Sequence, residues 1–516
     1  MRRLKLEVGA IPKRCAAIWL LAFLCPIPYF LSPAALSQPS LTAQVDAILN
    51  DSAFVDAHWG VHLVNLDTGQ TLYRRNAEKL FIPASTQKLL TTAAALDLLG
   101  PGFAYETRLY HDGRVEGGVL TGNLIVEGTG DPTIGGRYTD GDKTATFRAW
   151  AEALRAQGVT RVTGNVLGDD DVFDETVLGP SWSWDDLPFY YAAEVSGLNF
   201  NEGTVELLVE ATTPGRPTRI TWEPAMTPYV TVENTSMTGP AGTRYDEGYA
   251  RDLSGNAIQV SSTLAEGARD FEAIAVRNPT AYFAQVLLET LEAQGIAVDG
   301  QAFDADAFTD QAFDYARLTP LASHRSPTLV EIARDVNVRS NNLAAEHLFK
   351  TLGARIYPVL PEAAKDDAPE PGSFQAGALA TRAFLGRVGV DTSRVRVRDG
   401  SGLSYQNLVR PADFTALLRA MHTHPEPGVR AAFFDSLPVG GRDGTLARRF
   451  RTGRAGGNVR AKTGFITSAR ALVGVVTTAG GSTIGFALLA NHYSVPTRRV
   501  NAAQDAVVEL LAGWPR

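Results

Sequence analysis

Ser85-Thr86-Gln87-Lys88 opens an apolar segment, Leu89-Leu90-Thr91-Thr92-Ala93-Ala94-Ala95-Leu96, with Pro83 before it and Gly100 after it. These signals predict a helix from Ser85 to Leu99. Residues three apart share one helix face, so Lys88 would stand over Ser85. The partial positive charge of a helix start favours negative charge on Ser85 Oγ. A lysine in a dry cleft loses affinity for its proton and can then take one from the serine. Taken alone, the pair also fits a serine cap followed by a solvated lysine. The decision therefore depends on what the rest of the chain places around it.

Upstream, His58-Trp59-Gly60-Val61-His62-Leu63-Val64 and Gln70-Thr71-Leu72-Tyr73 flank an Asp67-Thr68-Gly69 turn, which reads as a hairpin. Downstream, from about 105 to 310, short alternating runs such as Gly122–Glu127 and Val205–Val209 are broken by Gly, Pro and Asp. Helical candidates at 145–157 and 281–294 punctuate them, a texture of mainly β or α+β accessory domains. Helical patterns resume at Ser326-Pro327, run towards Arg339, and restart at Leu343–Leu352, 374–387 and 411–421. Residues 358–373 read as a loop. The end is strand-like: Asn458–Ile466, Ala469–Thr478 and Thr483–Ala490, the last two as an antiparallel hairpin. Strands first, helices in the middle and strands last predict an α/β (α+β) unit. Its sheet would be assembled from both ends of the chain, with the accessory region inserted between.

Two further motifs fall in that frame. Lys462-Thr463-Gly464 lies on a predicted strand. The lysine offers a cation for a carboxylate, the threonine a hydroxyl, and the glycine room for a substrate backbone. An exposed edge strand would read the same way. Ser340-Asn341-Asn342 separates two helical segments, where a hydroxyl and an amide can relay a proton and hold an amide. A polar helix interruption is the competing reading. After residue 37 the chain has six lysines, Lys79, Lys88, Lys143, Lys350, Lys365 and Lys462, and two of them fall in these motifs.

The 516 residues are 45% hydrophobic and 20% charged, with 48 Gly and 28 Pro, which excludes collagen-like, coiled-coil and wholly disordered classes. A net charge of −8 argues against nucleic acid as the main partner. Residues 1–37 read as a signal peptide: a basic start (Arg2, Arg3, Lys5, Lys13, Arg14), an apolar Cys15–Leu31, and small residues at Ala35-Leu36-Ser37. A retained anchor competes, weakened by Pro26, Pro28 and Pro33. Cleavage after Ser37 removes both cysteines and leaves no later run approaching a membrane span. The tail, Asn501–Trp514, is a helix candidate without a basic face.

Serine, lysine, a second serine with asparagine, and a Lys-Thr-Gly strand, in this order, resemble the signature of the penicillin-binding and β-lactamase class. More closely, the chain resembles the class C low-molecular-mass penicillin-binding proteins, the D-alanyl-D-alanine carboxypeptidase/endopeptidase family S13. Text beyond the motifs carries this resemblance: Gly128-Thr129-Gly130-Asp131-Pro132-Thr133, Trp184-Asp185-Asp186, Asn337–Ser340 with Ala345-Glu346, Asp399-Gly400-Ser401-Gly402-Leu403-Ser404, and Asp443-Gly444-Thr445-Leu446. The resemblance implies a β-lactamase/transpeptidase-like domain formed by 38–104 and 311–516. It is split by accessory domains over 105–310, with an inner domain near 195–275. It implies Ser85 as acylated nucleophile, Lys88 as its base and Ser340 as proton relay. Asn342, Lys462, Thr463 and Gly464 would bind substrate, and the backbone N–H groups of Ser85 and Phe465 would form the oxyanion hole. The partners implied are peptidoglycan stem peptides ending in D-Ala-D-Ala, with β-lactams as covalent inhibitors and no cofactor or metal. The location would be the periplasm or cell envelope. Phe465 departs from the small hydroxyl residue the family pattern leads one to expect there, which bears on the carboxypeptidase–endopeptidase balance.

Other readings compete. A Ser-His-Asp hydrolase lacks a Gly-x-Ser-x-Gly elbow here, and neither His347 nor His492 has a role the lysines leave open. His422-x-His424 has no nearby third metal ligand. A β-lactamase or esterase on the same scaffold and a non-catalytic peptidoglycan-binding protein complete the set. The chain offers no glutamate assignable as a deacylation base, so slow release of β-lactams is expected.

Overall fold

The computed structural model describes residues 40–224, 226–308 and 312–515, so the signal-peptide reading of 1–37 lies outside the described residues. Five antiparallel strands form the central sheet, in the order Thr71–Arg75, His58–Asn65, Thr483–Asn491, Ala469–Thr477, Arg460–Ile466. The first and last segments of the described chain thus share one sheet, as the strand pattern predicts.

Period-two alternation sends every second side chain to opposite faces. Trp59, Val61, Leu63, Leu472, Phe486 and Leu488 pack on one side, beneath helices Leu41–Leu49 and Thr497–Ala512. The C-terminal helix is therefore a core element, held by Val500, Val507, Val508 and Leu511. On the other side Ala471, Val473, Ala487 and Leu489 meet a helical layer centred on Lys88–Leu98. Around that helix stand Leu329–Val338, Asn342–Arg355, Phe374–Arg387, Pro411–His422 and Pro427–Asp435. Lys88–Leu96 is buried without a break, so this helix is enclosed on all sides. Both faces of the sheet are covered, giving a helix–sheet–helix sandwich.

Residues between the two parts build sheets of their own around a second core that includes Phe147, Trp150, Phe200, Tyr282 and Phe283. In one of them the strand Thr319–Arg325 pairs with Glu106–His111. The sequence boundary at 311 assigned that strand to the returning part of the catalytic unit. In the structure it pairs with a strand of the inserted segment, closing that sheet before the chain enters the helical layer. Helices Ala145–Ala156 and Pro279–Ala293 lie close to their predicted spans. Among the described residues no helix is long and apolar enough to cross a membrane.

Candidate active site

Ala84 takes a left-handed φ of +47°, and Ala84–Gln87 form a single 3-10 turn before the α-helix begins at Lys88. The expected helix start at Ser85 is corrected accordingly. Pro83 O accepts from both Thr86 N (3.3 Å) and Thr86 Oγ1 (2.7 Å), tightening the turn that presents Ser85. Two glycines make room for it. A Cβ on Gly402 would lie 2.0 Å from Ala84 O, and one on Gly464 would lie 2.6 Å from Pro83 O. Gly464 therefore admits the protein's own serine turn, where the sequence reading had it admit a substrate backbone.

Lys88 is fully buried. Its Nζ donates to Ser85 Oγ at 3.1 Å, Asn342 Oδ1 at 2.6 Å and the Ser401 carbonyl at 2.8 Å. Burial pulls its pKa down to about 7, against the opposing pull of the Glu346 and Asp399 carboxylates. Glu346, also fully buried, is pushed up to about 8 by desolvation and by the charge of Asp399. Its two oxygens accept from the N–H groups of Gly400 (2.7 Å) and Ser401 (2.8 Å). Asp399 organises the same loop, accepting from Gly402 N, Ser404 N, the Asn407 amide and the Trp182 indole at 2.6–3.0 Å. Both carboxylates thus shape the loop whose Ser401 carbonyl grips Lys88. In the sequence alone the Asp399–Ser404 run and Glu346 served only to carry the family resemblance, without a role of their own.

The second lysine repeats the arrangement. Lys462 Nζ donates to Ser340 Oγ at 2.8 Å and to the Thr463 carbonyl at 2.9 Å. Its pKa is held well below the usual lysine range by burial, then by the positive charges of Lys88 and Arg470. Lys462 and Gly464 alternate with Ala461, so they face the helical layer that carries Ser85. Asn342 bridges the two halves of the site. Its Oδ1 takes the Lys88 bond, and its Nδ2 donates to the Tyr191 carbonyl at 2.6 Å. Thr463 Oγ1 donates to Thr445 Oγ1 at 2.9 Å.

Arg460–Ile466 is an edge strand, so alternate N–H groups point away from the sheet. Ala461 N already points outward, donating to Pro438 O at 3.1 Å. By the same alternation the N–H groups of Thr463 and Phe465 face out of the edge. The Phe465 ring is 54% exposed, with the Arg470 guanidinium 5.7 Å from its centre.

A cavity of about 730 Å³ opens on these groups, lined among others by Ser85, Ser340, Asn342, Tyr191, Thr445 and Phe465. Lys88 and Lys462 stand behind that wall and reach it through the two serines. The structure thus gathers Ser85, Lys88, Ser340, Asn342, Lys462, Thr463, Gly464 and Phe465 at one place. Two lysine–serine couples of this kind can remove a proton from one hydroxyl and return one through the other. His347 lies elsewhere, bonded through Nδ1 to the Gly130 carbonyl and driven down to about 4 by burial. His422 and His424 bond different carboxylates, Asp67 and Asp97, each at 2.9 Å, and share no site.

A family model described as the D-Ala-D-Ala carboxypeptidase 3 (S13) family matches residues 41–513. The chain is 32% identical over 486 residues to the D-alanyl-D-alanine carboxypeptidase of Actinomadura sp. (strain R39), covering 92% of this chain and 85% of that protein. It is 28% identical over 439 residues to the D-alanyl-D-alanine carboxypeptidase DacB of Haemophilus influenzae, covering 83% of this chain and 84% of that one. The crystal structure of penicillin binding protein 4 (dacB) from Haemophilus influenzae superposes with a TM-score of 0.76 at 26% identity, covering 90% of this chain and 97% of that one. A second structure of the same protein, complexed with a β-lactam, gives a TM-score of 0.70 at 24% identity.

Proposed function

The chain belongs to the D-Ala-D-Ala carboxypeptidase 3 (S13) family, and from that premise we propose that it is a serine-type D-Ala-D-Ala carboxypeptidase acting through an acyl-Ser85 intermediate. On the same reading it also cuts peptidoglycan cross-links as an endopeptidase. Neutral Lys88 takes the Ser85 proton while Oγ attacks the carbonyl carbon of the penultimate D-alanine. Charge on the carbonyl oxygen is met by the N–H groups of Ser85 and Phe465. The proton gained by Lys88 is relayed through Ser340, backed by Lys462, to the departing D-alanine nitrogen as the C–N bond breaks, so that Lys88 is neutral again and Ser340 keeps its hydroxyl. Lys462 and Thr463 receive the terminal carboxylate, and the remaining N–H of Asn342 orients the substrate amide. Water then attacks the ester, its proton passing through neutral Lys88 to Ser85 Oγ as the acyl C–O bond breaks and the shortened peptide leaves.

One observation carries this reading: Lys88 Nζ is 3.1 Å from Ser85 Oγ while Lys462 Nζ is 2.8 Å from Ser340 Oγ, both serines lining one cavity. Slow deacylation of a β-lactam adduct is supported by Glu346, whose oxygens are committed to backbone N–H groups and which does not line the cavity. Segments 38–104 and 311–516 are taken as one catalytic unit, less the strand Thr319–Arg325, and the periplasm or cell envelope as its location.

The test is intact-protein mass spectrometry after incubation with benzylpenicillin, beside Ser85→Ala. A persistent one-to-one adduct on the parent alone is expected, followed by D-alanine release from D-Ala-D-Ala peptides. No adduct and no β-lactam consumed overturns the acyl-serine reading, and rapid consumption without an adduct makes the protein a β-lactamase.

A further inference from the structure

Ser340 has a left-handed φ of +65° between helices Leu329–Val338 and Asn342–Arg355. Residues with a side chain hold that conformation where their surroundings enforce it. The enforcement lies one residue on. Asn341 Oδ1 caps the second helix, accepting from Ala344 N at 3.1 Å. Its Nδ2 is held between two carboxylates, Asp335 Oδ2 at 2.8 Å and Glu202 Oε1 at 3.1 Å. Asp335 sits on the preceding helix, but Glu202 comes from the inserted region. It projects from a turn in which Asn201, Glu202 and Gly203 all have positive φ, at +47°, +58° and +66°. Arg137, also from the inserted region, grips Glu202 through Nε and a terminal nitrogen, the latter at 2.6 Å, and its Nε lies 3.8 Å from Asp335. Arg137, Glu202 and Asn341 all border the cavity that Ser85 and Ser340 share.

From this arrangement we infer that Glu202, oriented by Arg137, is a positioning residue through which the inserted region sets the aim of Ser340. The inference rests on the acyl-serine reading and goes beyond it by giving the insertion a task in the chemical step. The Asn341 amide cannot turn without breaking a bond to each carboxylate, so the chain direction at Ser340 is fixed from two sides. With Glu202 removed, Asp335 alone holds the amide, and Arg137 is left facing Asp335 and competing for it. The Ser340 turn then relaxes and its Oγ leaves the line between Lys462 and the departing nitrogen. The residues that bind the substrate carboxylate, Lys462 and Thr463, stay on their strand.

The experiment is the rate of benzylpenicillin adduct formation at several drug concentrations, which separates the dissociation constant of the non-covalent complex from the acylation step. For Glu202→Ala the acylation step should slow roughly tenfold while the dissociation constant changes less than about twofold. Glu202→Gln, which keeps an oxygen for Asn341, should recover to within about threefold of the parent. Arg137→Met reads the same coupling if Glu202→Ala does not fold. Arg161→Ala, which breaks an ion pair to Asp299 elsewhere in the insertion, should leave the acylation step unchanged. A merely structural role would lower the active fraction without changing the rate per active molecule, and that result overturns the inference. So does a loss confined to the dissociation constant. If the parent forms no adduct, the acyl-serine reading fails first and this inference falls with it.

Discussion

Replacing Gly402 with alanine should separate what the 399–404 loop does for chemistry from what it does for stability. Gly402 has φ +86°, and its added Cβ would lie 2.0 Å from Ala84 O, 2.5 Å from Ala84 C and 2.9 Å from Gln87 Cβ. Ordinary contact begins near 3.4 Å, so the loop and the serine turn must part by about 1.4 Å. The left-handed conformation costs alanine roughly 1–2 kcal/mol and the forced separation roughly 1–3 kcal/mol more. A chain this long unfolds with an entropy of about 1 kcal/mol per degree if it melts as one unit, so Tm should fall by only a few degrees. The chemistry should suffer far more. Withdrawing the loop takes the Ser401 carbonyl out of reach of Lys88 Nζ, now 2.8 Å away, and displaces Ser85 from the same amine. A misplacement on this scale costs roughly a hundredfold in rate. Benzylpenicillin acylation followed by quenched-flow mass spectrometry measures it, with differential scanning calorimetry alongside. Gly389→Ala is the control: φ is +85° there too, but an added Cβ meets nothing within 4 Å, so conformational cost appears without loss of rate. Acylation of Gly402→Ala within about threefold of the parent would refute the role given to the loop.

Acylation should rise about tenfold between pH 6 and 8, because Lys88 accepts a proton only when neutral and its pKa is lowered to about 7. A rate flat across that window removes Lys88 as the base, and Lys88→Arg should abolish acylation because guanidinium keeps its proton. Ser340→Ala should lower kcat for D-Ala-D-Ala peptides by roughly a hundredfold or more with little change in KM, read by D-alanine release. Asp174→Ala strands the buried Lys350 ammonium, now 2.7 Å from that carboxylate and packed on the Phe173 and Phe374 rings. It should cost about 3–5 kcal/mol in urea unfolding while acylation per folded molecule stays at the parent's rate.

The chemistry of the site was legible where it is local. Ser85 and Lys88 are three residues apart, and Lys462, Thr463 and Gly464 are adjacent, so spacing alone brings the members of each motif together. The central sheet was legible too, since strands at both ends of the chain carry long period-two patterns. The rest depends on contacts between distant segments. Glu346 holds Gly400 and Ser401 across 54 and 55 positions, and Glu202 holds Asn341 across 139. Nothing in the local sequence selects such partners. Inside the insertion, paired stretches such as Leu124–Glu127 with Val166–Asp169 are four residues long and parallel, too short to show their alternation. The helix start at Lys88 was missed because Ala84 adopts a left-handed conformation that its sequence does not announce, and it is enforced by a loop more than three hundred residues downstream.

If Ser85 is the nucleophile proposed above, the central sheet also sets when it becomes reactive. Strand His58–Asn65 has Thr483–Asn491 as its inner neighbour, and the segment leading into the serine turn is tied to the same late strand through Ile82 N and Asn491 Oδ1, 409 positions apart. A chain emerging from its N-terminus therefore carries Ser85 and Lys88 for most of its synthesis with no floor beneath them. The water-exposed lysine keeps its proton, and the nucleophile stays silent. On the proposed acyl-serine reading the site is complete only once the last hairpin has formed, so a truncated or half-folded copy should not be acylated by a β-lactam. The long loop closure this demands makes folding slow, and it makes completion of the chain the switch that arms the enzyme.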